Sequence, residues 1–336
     1  MTLRRSLLGV ASAALSIFLI VLLMKVAKID FRATFQQLRS VSWISFGSIA
    51  ALTGLHVYLS SLKWRYVDAT LRRPSDTVLS RTTSFALTAI GVALGQVLPV
   101  QLSTSAVRTL GTYFQGGALK RGTGGTLFEQ SFDVLIVGFL AIASGLTRFM
   151  RGGGMMWGSC AFAMIAFALF AIGPAVGMIR GQVASLTAGS VAPRSRILRG
   201  FANLHTSGLL SPGLARRLMA LSAARFVIQV LMAAQAAQAI GAQIPVWHLA
   251  AAMPFVIIAC VIVITPGGLG VNELTYATAL HLFGTPLAVG AQWALANRFL
   301  VGSSCFVVAA CAIAVLSFEK LLAPGAPLVA QEDSQC

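Results

Sequence analysis

The hydrophobic pattern along this chain consists of long apolar runs, each bounded by charged or turn-forming residues. A helix needs about 20 apolar residues to cross the roughly 30 Å hydrocarbon core of a bilayer. Runs of this length predict six full membrane spans: Ser6–Val26, Trp43–Trp64, Leu127–Leu146, Met155–Ile179, Leu214–Ile240 and Leu287–Leu316. The pattern therefore predicts an all-α, polytopic membrane protein.

A further apolar region, Thr82–Leu119, is interrupted near its middle. Pro99 cannot continue a helix that precedes it, and Ser103-Thr104-Ser105 follows closely. These three residue types favour the N-cap of a helix, so we expect a short new helix to begin at Ala106. The region is predicted to form a helical hairpin.

A second interrupted region, Trp247–Phe283, has the same form. Its first apolar stretch ends in Thr265-Pro266-Gly267-Gly268-Leu269-Gly270, and a new helix is expected near Val271. Unpaired backbone groups at membrane depth are tolerated only where protein or a water-filled cavity surrounds them. The two chain breaks therefore mark a candidate site.

The distribution of positive charge predicts how these pieces cross the membrane. If both interrupted regions are re-entrant hairpins, most Arg and Lys residues fall on the side of the N-terminus, which is then cytoplasmic. Three full spans separate the hairpins, so they enter from opposite faces as an inverted repeat. A full span in place of either hairpin would change this count. We expect one transmembrane domain over residues 1–320, a tail over 321–336, and both termini on the cytoplasmic side of a bacterial-type inner membrane.

Composition excludes several function classes. Hydrophobic residues make up 57% of the 336 residues and charged residues only 10%, whereas soluble domains carry about 25% charged residues. This leaves no polar stretch large enough for a separate catalytic domain. The net charge of +16 is dispersed between apolar runs, which favours cytoplasmic loops and anionic lipid over nucleic acid.

Metal and cofactor motifs are absent from the sequence. The five cysteines show no C-x-x-C spacing, and the four histidines show no H-E-x-x-H pattern. The stretch Gly122–Thr126 is rich in glycine but lacks the G-K-[ST] ending of a P-loop, so we interpret it as a turn. We predict no metal and no cofactor.

Ionisable residues inside apolar segments are costly and therefore point to function or to structural ion pairs. Arg108 and Glu273 lie next to the two chain breaks and are the strongest candidates. Structural ion pairing is the alternative for each residue of this set: Arg108, Glu129, Asp133, Arg225, Glu273 and Arg298.

Each candidate has a specific chemical expectation. The expected N-cap at Ser103-Thr104-Ser105 would put a positive helix end near Arg108, an arrangement suited to a phosphate or another anionic headgroup. Glu129 and Asp133 share a helix face and are expected to pair with an arginine or to hold a proton, because no partner for catalysis accompanies them.

The other charged residues have simpler expected roles, either as an ion pair or at the membrane surface. Glu273 and Arg298 are expected to meet across the bundle. Arg225, Lys63 and Arg65 are expected to extend toward lipid headgroups from the ends of their spans.

Taken in order, these segments resemble the lysylphosphatidylglycerol synthase transmembrane region family, also called the flippase-like domain family. The chain departs from the family pattern at Ser103-Thr104-Ser105, Gln130 and Asn272, where members often carry charges or acidic motifs. The matching segments are Leu62-Lys63-Trp64-Arg65, Pro99 with Arg108, Glu129 to Asp133, Pro266-Gly267-Gly268-Leu269-Gly270-Val271-Asn272-Glu273, and Arg298.

The resemblance implies a membrane protein with two re-entrant hairpins that moves lipids between leaflets. We expect no enzymatic activity and a substrate that is a phospholipid or a polyprenyl-linked glycolipid with an anionic headgroup. The alternative is a non-transporting subunit that presents a lipid to a partner glycosyltransferase or transferase. The predicted substrate-binding set is Arg108, Glu129, Asp133, Glu273, Arg298, Ser103, Ser105, Pro266, Gly267, Gly268 and Asn272.

Overall fold

The computed structural model of this chain describes residues 31–72, 78–188, 208–262 and 265–322, together with 18–19, 21–23 and 25–27. These residues are almost entirely helical, which confirms the predicted all-α class. The first predicted span, Ser6–Val26, lies mostly outside the described residues, and so does most of the predicted tail.

The helices follow one another with short connections. In chain order they are α1 (Phe31–Arg39), α2 (Trp43–Leu71), α3 (Arg81–Leu94), α4 (Val100–Phe114), α5 (Leu119–Phe149), α6 (Gly154–Ala188), α7 (Pro212–Ala239), α8 (Val246–Ile262), α9 (Val271–Leu282) and α10 (Leu287–Leu322). A 3₁₀ turn, Pro266–Gly268, lies between α8 and α9.

Five helices in the described part of the chain are long and apolar enough to cross a membrane, namely α2, α5, α6, α7 and α10. They correspond to five of the six predicted full spans. The outer surface of α6 carries exposed aromatic side chains, with Phe162 76% and Phe170 80% exposed. Exposed apolar faces of this kind suit contact with lipid, which confirms a multi-pass membrane protein.

The first interrupted region forms two short helices, α3 and α4, which pack against each other. With 14 and 15 residues, each is shorter than the roughly 20 residues of a full span. The expected start at Ala106 is wrong, because α4 begins at Val100 with Pro99 as its N-cap. Proline cannot continue α3 but is tolerated where a new helix begins.

This earlier start changes the interpretation of the polar residues in α4. Ser103-Thr104-Ser105 lies inside the helix, and no side chain caps its N-terminus. Arg108 is the ninth residue of α4, more than two turns from the helix end. The expected positive helix end beside Arg108 is therefore wrong.

The second interrupted region forms α8 and α9, which also pack against each other. Helix α9 begins at Val271, as expected. The break between them contains Gly267, Gly268 and Gly270 at φ values of +58°, +68° and +80°, a region that glycine adopts readily. Glu273 caps α9, since its Oε2 accepts a hydrogen bond from the Gly270 backbone N–H at 2.7 Å.

Helix α10 packs against both helical hairpins, through α3 on one side and α9 on the other. Helix α7 packs extensively against α2, and its buried Ala233, Ala236 and Ala237 allow neighbouring backbones to approach. Trp293 of α10 is fully buried, and its indole N–H donates to the Ala233 carbonyl at 3.3 Å. The two hairpins are therefore held by one long central helix.

The expected turn at Gly122–Thr126 is wrong, because these residues belong to α5. Glycine serves a packing purpose here: a Cβ atom at Gly122 would lie 2.6 Å from the Cα of Thr109 in α4. Helices α4 and α5 therefore cross closely, and this crossing brings Arg108 within reach of the carboxylates of α5.

Candidate functional site

Charged side chains from four helices meet inside the bundle. Lys63 extends from α2, Arg108 from α4, Glu129 and Asp133 from α5, and Arg225 from α7. The two carboxylates are four residues apart, so they project from the same face of α5. We call these five residues the core charge cluster.

Arg108 is completely enclosed by protein groups. Its Nη1 lies 2.6 Å from Oε2 of Glu129, and both side chains are only 1% exposed. Its Nη2 donates to the Ser60 carbonyl at 3.2 Å, to the Ser60 hydroxyl at 2.9 Å and to the Thr88 hydroxyl at 3.3 Å. The guanidinium also lies 5.0 Å from the Trp64 ring centroid. Both terminal nitrogens are therefore occupied, which leaves no open fork for a headgroup.

Asp133 joins two cations from different helices. One of its oxygens lies 2.6 Å from Nζ of Lys63, and the other accepts a hydrogen bond from Nη1 of Arg225. Lys63 also donates to the Glu129 carbonyl at 3.3 Å and lies 3.9 Å from the Glu129 carboxylate. Nη2 of Arg225 is 3.2 Å from Nε2 of His56. The carboxylates thus connect α2, α4, α5 and α7 through charge.

The core charge cluster contains three cations and two carboxylates. With neutral histidine this gives a formal charge of +1 in the cluster. The Nε groups of Arg108 and Arg225 are buried and have no hydrogen-bond partner among the described residues. A positive charge in such a setting favours a counter-ion because its burial is costly.

Of the five side chains in the core charge cluster, only those of Arg225 and Asp133 are partly exposed. The side chains of Lys63, Arg108 and Glu129 are at most 1% exposed, whereas Arg225 is 16% and Asp133 28% exposed. A ligand that approached the cluster would therefore meet Arg225 and Asp133 first.

A second polar group lies where the two chain breaks meet. Nη2 of Arg298 in α10 donates to the Gln96 carbonyl at 2.9 Å and also to the Gly267 carbonyl. Nε of Arg298 is 3.9 Å from the Glu273 carboxylate, so the expected meeting of these two residues is present. Asn272, also from the predicted set, accepts a hydrogen bond from the Cys260 thiol.

The structure places nine of the eleven residues of the predicted substrate-binding set in these two groups, and Ser103 and Ser105 in neither. Ser103 serves the first hairpin itself, because its hydroxyl donates to the Gly91 carbonyl at 3.1 Å. The Ser105 hydroxyl is buried and has no hydrogen-bond partner in the described part of the chain. Arg108, Glu129 and Asp133 belong to the core charge cluster, whereas Pro266, Gly267, Gly268, Asn272, Glu273 and Arg298 lie at the meeting of the breaks.

The expectation that Lys63 and Arg225 extend toward headgroups is wrong. Lys63 is fully buried, and Arg225 is the fourteenth of 28 residues in α7, at mid-span. Lys63 was detectable in the sequence, because His56, Ser60 and Lys63 follow the i, i+4, i+7 spacing of one helix face. Such a polar stripe in an apolar span indicates a buried partner instead of a route to the membrane surface.

A further ion pair joins α2 to the start of α5. Arg121 donates from Nε and Nη2 to both oxygens of Asp68, at 2.7 and 2.5 Å, and both residues are buried. This two-point geometry is the strong form of an arginine–carboxylate contact. The sequence analysis predicted a turn immediately after Arg121, at Gly122–Thr126, so this contact was missed.

The described residues contain no group of three or more His, Cys, Asp or Glu residues that could hold a metal ion. One cavity of about 220 Å³ lies by the turn between α7 and α8, and its lining includes Gln37, Gln243, Gln292 and Trp293. None of its lining residues belongs to the core charge cluster or to the meeting of the chain breaks.

Comparison with known proteins gives one match. The sequence profile of the family described as the lysylphosphatidylglycerol synthase TM region matches residues 8–319. No curated protein and no solved structure matches this chain. The profile covers both hairpins and all five residues of the core charge cluster.

Proposed function

This chain belongs to the lysylphosphatidylglycerol synthase TM region family, and we propose that it transports a lipid with an anionic headgroup between the two leaflets of a membrane. The lipid is a phospholipid or a polyprenyl-linked glycolipid. The proposal places the protein in a bacterial-type inner membrane with both termini in the cytoplasm. It assigns the chain a transport role and no chemical step.

The positive charge of the core charge cluster is the observation that carries this proposal. Three cations face two carboxylates in a setting where an unpaired charge costs at least about 2.5–3.5 kcal/mol. A phosphate group that entered beside the partly exposed Arg225 side chain would neutralise the cluster. The acyl chains would remain in lipid while the headgroup passes through protein.

The hydrogen bonds of Arg108 change its expected role. Because its terminal nitrogens are occupied by Glu129, Ser60 and Thr88, Arg108 holds the carboxylate side of the cluster in place. Arg225 takes the role of first contact for the headgroup. The two hairpins, entering from opposite faces, would form the moving parts on either side.

A vesicle assay tests this proposal. Purified protein is reconstituted into liposomes with fluorescent phosphatidylglycerol, which is anionic, or with fluorescent phosphatidylcholine, which is zwitterionic. Dithionite destroys only the fluorophore in the outer leaflet, so its slow phase measures movement. Wild type is expected to move the anionic probe faster, and R225M to slow it about tenfold, the effect of one lost charge-assisted contact.

R148M is the matched control, because Arg148 is an exposed arginine in the last turn of α5, outside the cluster. It should move lipid at the wild-type rate. Wild-type protein that moves neither probe would contradict the transport proposal. Selective retention of the anionic lipid without movement would favour the subunit that presents lipid to a partner enzyme.

A further inference from the structure

One arginine contacts both chain breaks. The Gln96 carbonyl lies in the turn that follows α3 in the first hairpin, and the Gly267 carbonyl lies in the break of the second hairpin. Both carbonyls accept hydrogen bonds from the same nitrogen, Nη2 of Arg298. Arg298 is 202 residues from Gln96 and 31 residues from Gly267 in the sequence, so this contact joins distant parts of the chain.

The two breaks also approach each other directly. A Cβ atom placed on Gly267 would lie 2.1 Å from the Gln96 carbonyl oxygen and 2.5 Å from Nη2 of Arg298. Gly267 therefore sits where no other residue fits without displacing the first hairpin, and its φ of +58° adds a second requirement for glycine. The contact between the two breaks therefore requires glycine at position 267.

Further contacts fix the breaks to α10 and to α9. The Gln96 side chain donates to the Cys305 sulfur at 3.7 Å, and Cys305 lies on the same face of α10 as Arg298, two turns further along. Glu273 accepts from the Gly270 N–H and lies 3.9 Å from Arg298. Arg298 is thus positioned by Glu273 next to the second break, and it donates a hydrogen bond to the Gln96 carbonyl of the first break.

We propose that Arg298 is a positioning residue that clasps the two hairpin tips, and that a headgroup passes between the hairpins only when this clasp opens. This inference rests on the transport proposed above. In the closed state the hairpins act as one body because one guanidinium nitrogen serves both carbonyls. Loss of either hydrogen bond leaves a carbonyl of an interrupted helix without its partner, which favours the entry of water.

Two native cysteines report directly on the clasp. Cys260 lies beside the second break, 3.4 Å from the position of a Cβ on Gly268, and Cys305 contacts Gln96 of the first break. Cys160 in α6 and the exposed Cys311 in α10 take no part in these contacts and serve as internal controls. The reconstituted protein is alkylated with N-ethylmaleimide for increasing times and then digested, and mass spectrometry of the peptides gives the rate at each thiol.

The decisive variant is R298M, which keeps an unbranched apolar side chain but removes the guanidinium with its charge and its donors. The clasp predicts that alkylation of Cys260 and Cys305 accelerates about tenfold, the change expected when a charge-assisted hydrogen bond is lost from the closed state. Cys160 and Cys311 should stay within about twofold of wild type on the same argument. R298K retains a cationic donor and should restore slow alkylation at both reporter cysteines.

G267A attacks the same contact from the other side, because its new methyl group would displace the Gln96 carbonyl. It should reproduce the R298M pattern, and it decides the matter if R298M does not fold. Unchanged rates at Cys260 and Cys305 in the folded variants would overturn the clasp. Equal acceleration at all four cysteines would also overturn it, since that pattern means general loosening.

This experiment separates the clasp from the transport proposal. Alkylation reports the opening of the hairpin tips and requires no lipid movement. A wild-type protein that moves no lipid would contradict transport while the cysteine pattern still tests the contact between the breaks. Normal lipid movement together with unaltered alkylation in R298M would overturn the clasp alone.

Discussion

Arg108 donates from Nη1 to Glu129 over 2.6 Å, and neither side chain is more than 1% exposed. Both residues belong to the predicted substrate-binding set, but their first partners are each other, which is the pairing with an arginine that was expected for Glu129. Their pairing neutralises one charge of each sign inside the bundle, so it supports the fold directly. The following three predictions separate residues of this structural kind from those that a ligand can reach.

The first prediction concerns stability. R108M leaves the Glu129 carboxylate buried without its closest ion-pair partner, since the Lys63 ammonium is 3.9 Å away. Removing one partner of a buried ion pair costs about 3–5 kcal/mol of unfolding free energy. We expect a marked fall in the thermal unfolding temperature of the detergent-purified protein. The double variant R108M/E129Q removes the stranded charge and should recover part of the loss. A single variant as stable as wild type would contradict the structural role.

The second prediction concerns lipid retention. Native mass spectrometry in mild detergent should find an anionic lipid bound to wild type and to the control R148M. In R225M the retained anionic lipid should fall about tenfold, because one charge-assisted contact to phosphate is lost. Retention that is unselective, or unchanged in R225M, would mean that the charges of the core charge cluster are structural.

The third prediction concerns the pair between Arg121 and Asp68. R121K keeps the positive charge but cannot reproduce the two parallel hydrogen bonds of the guanidinium. We expect a loss of about 1.5–3 kcal/mol in unfolding free energy, the contribution of a hydrogen bond to a charged group. The rate of lipid movement should be unchanged, and a selective loss of movement at full stability would show that this pair belongs to the transport pathway.

The sequence was informative where a local signal decides the structure. Apolar run length located the five described spans, and the Pro-Gly-Gly sequence at 266–268 located the second break and the start of α9 at Val271. The residue type was less informative at Pro99, because a proline can end one helix and also stand at the start of the next, so it does not locate where the second helix begins. The start of α4 therefore fell six residues before the expected one.

The partners of the buried charges could not be predicted in the same way. The long apolar stems of Lys63 and Arg225 also suit contact with headgroups, and only the approach of α5 supplies Asp133 between them. That approach is a set of tertiary contacts of α5 with α2 and α7, which the local sequence does not reveal. The proximity of Glu273 to Arg298 was predictable because each was the nearest candidate partner for the other.

The length of α10 has a mechanical consequence. Its 36 residues extend about 54 Å, well beyond a hydrocarbon core of roughly 30 Å, so this helix meets thinner bilayers by tilting. Arg298 and Cys305 lie along it and hold the two chain breaks, so a change in tilt shifts their relative heights. We therefore expect the acyl-chain length of the surrounding membrane to affect the junction of the hairpins, independently of any headgroup.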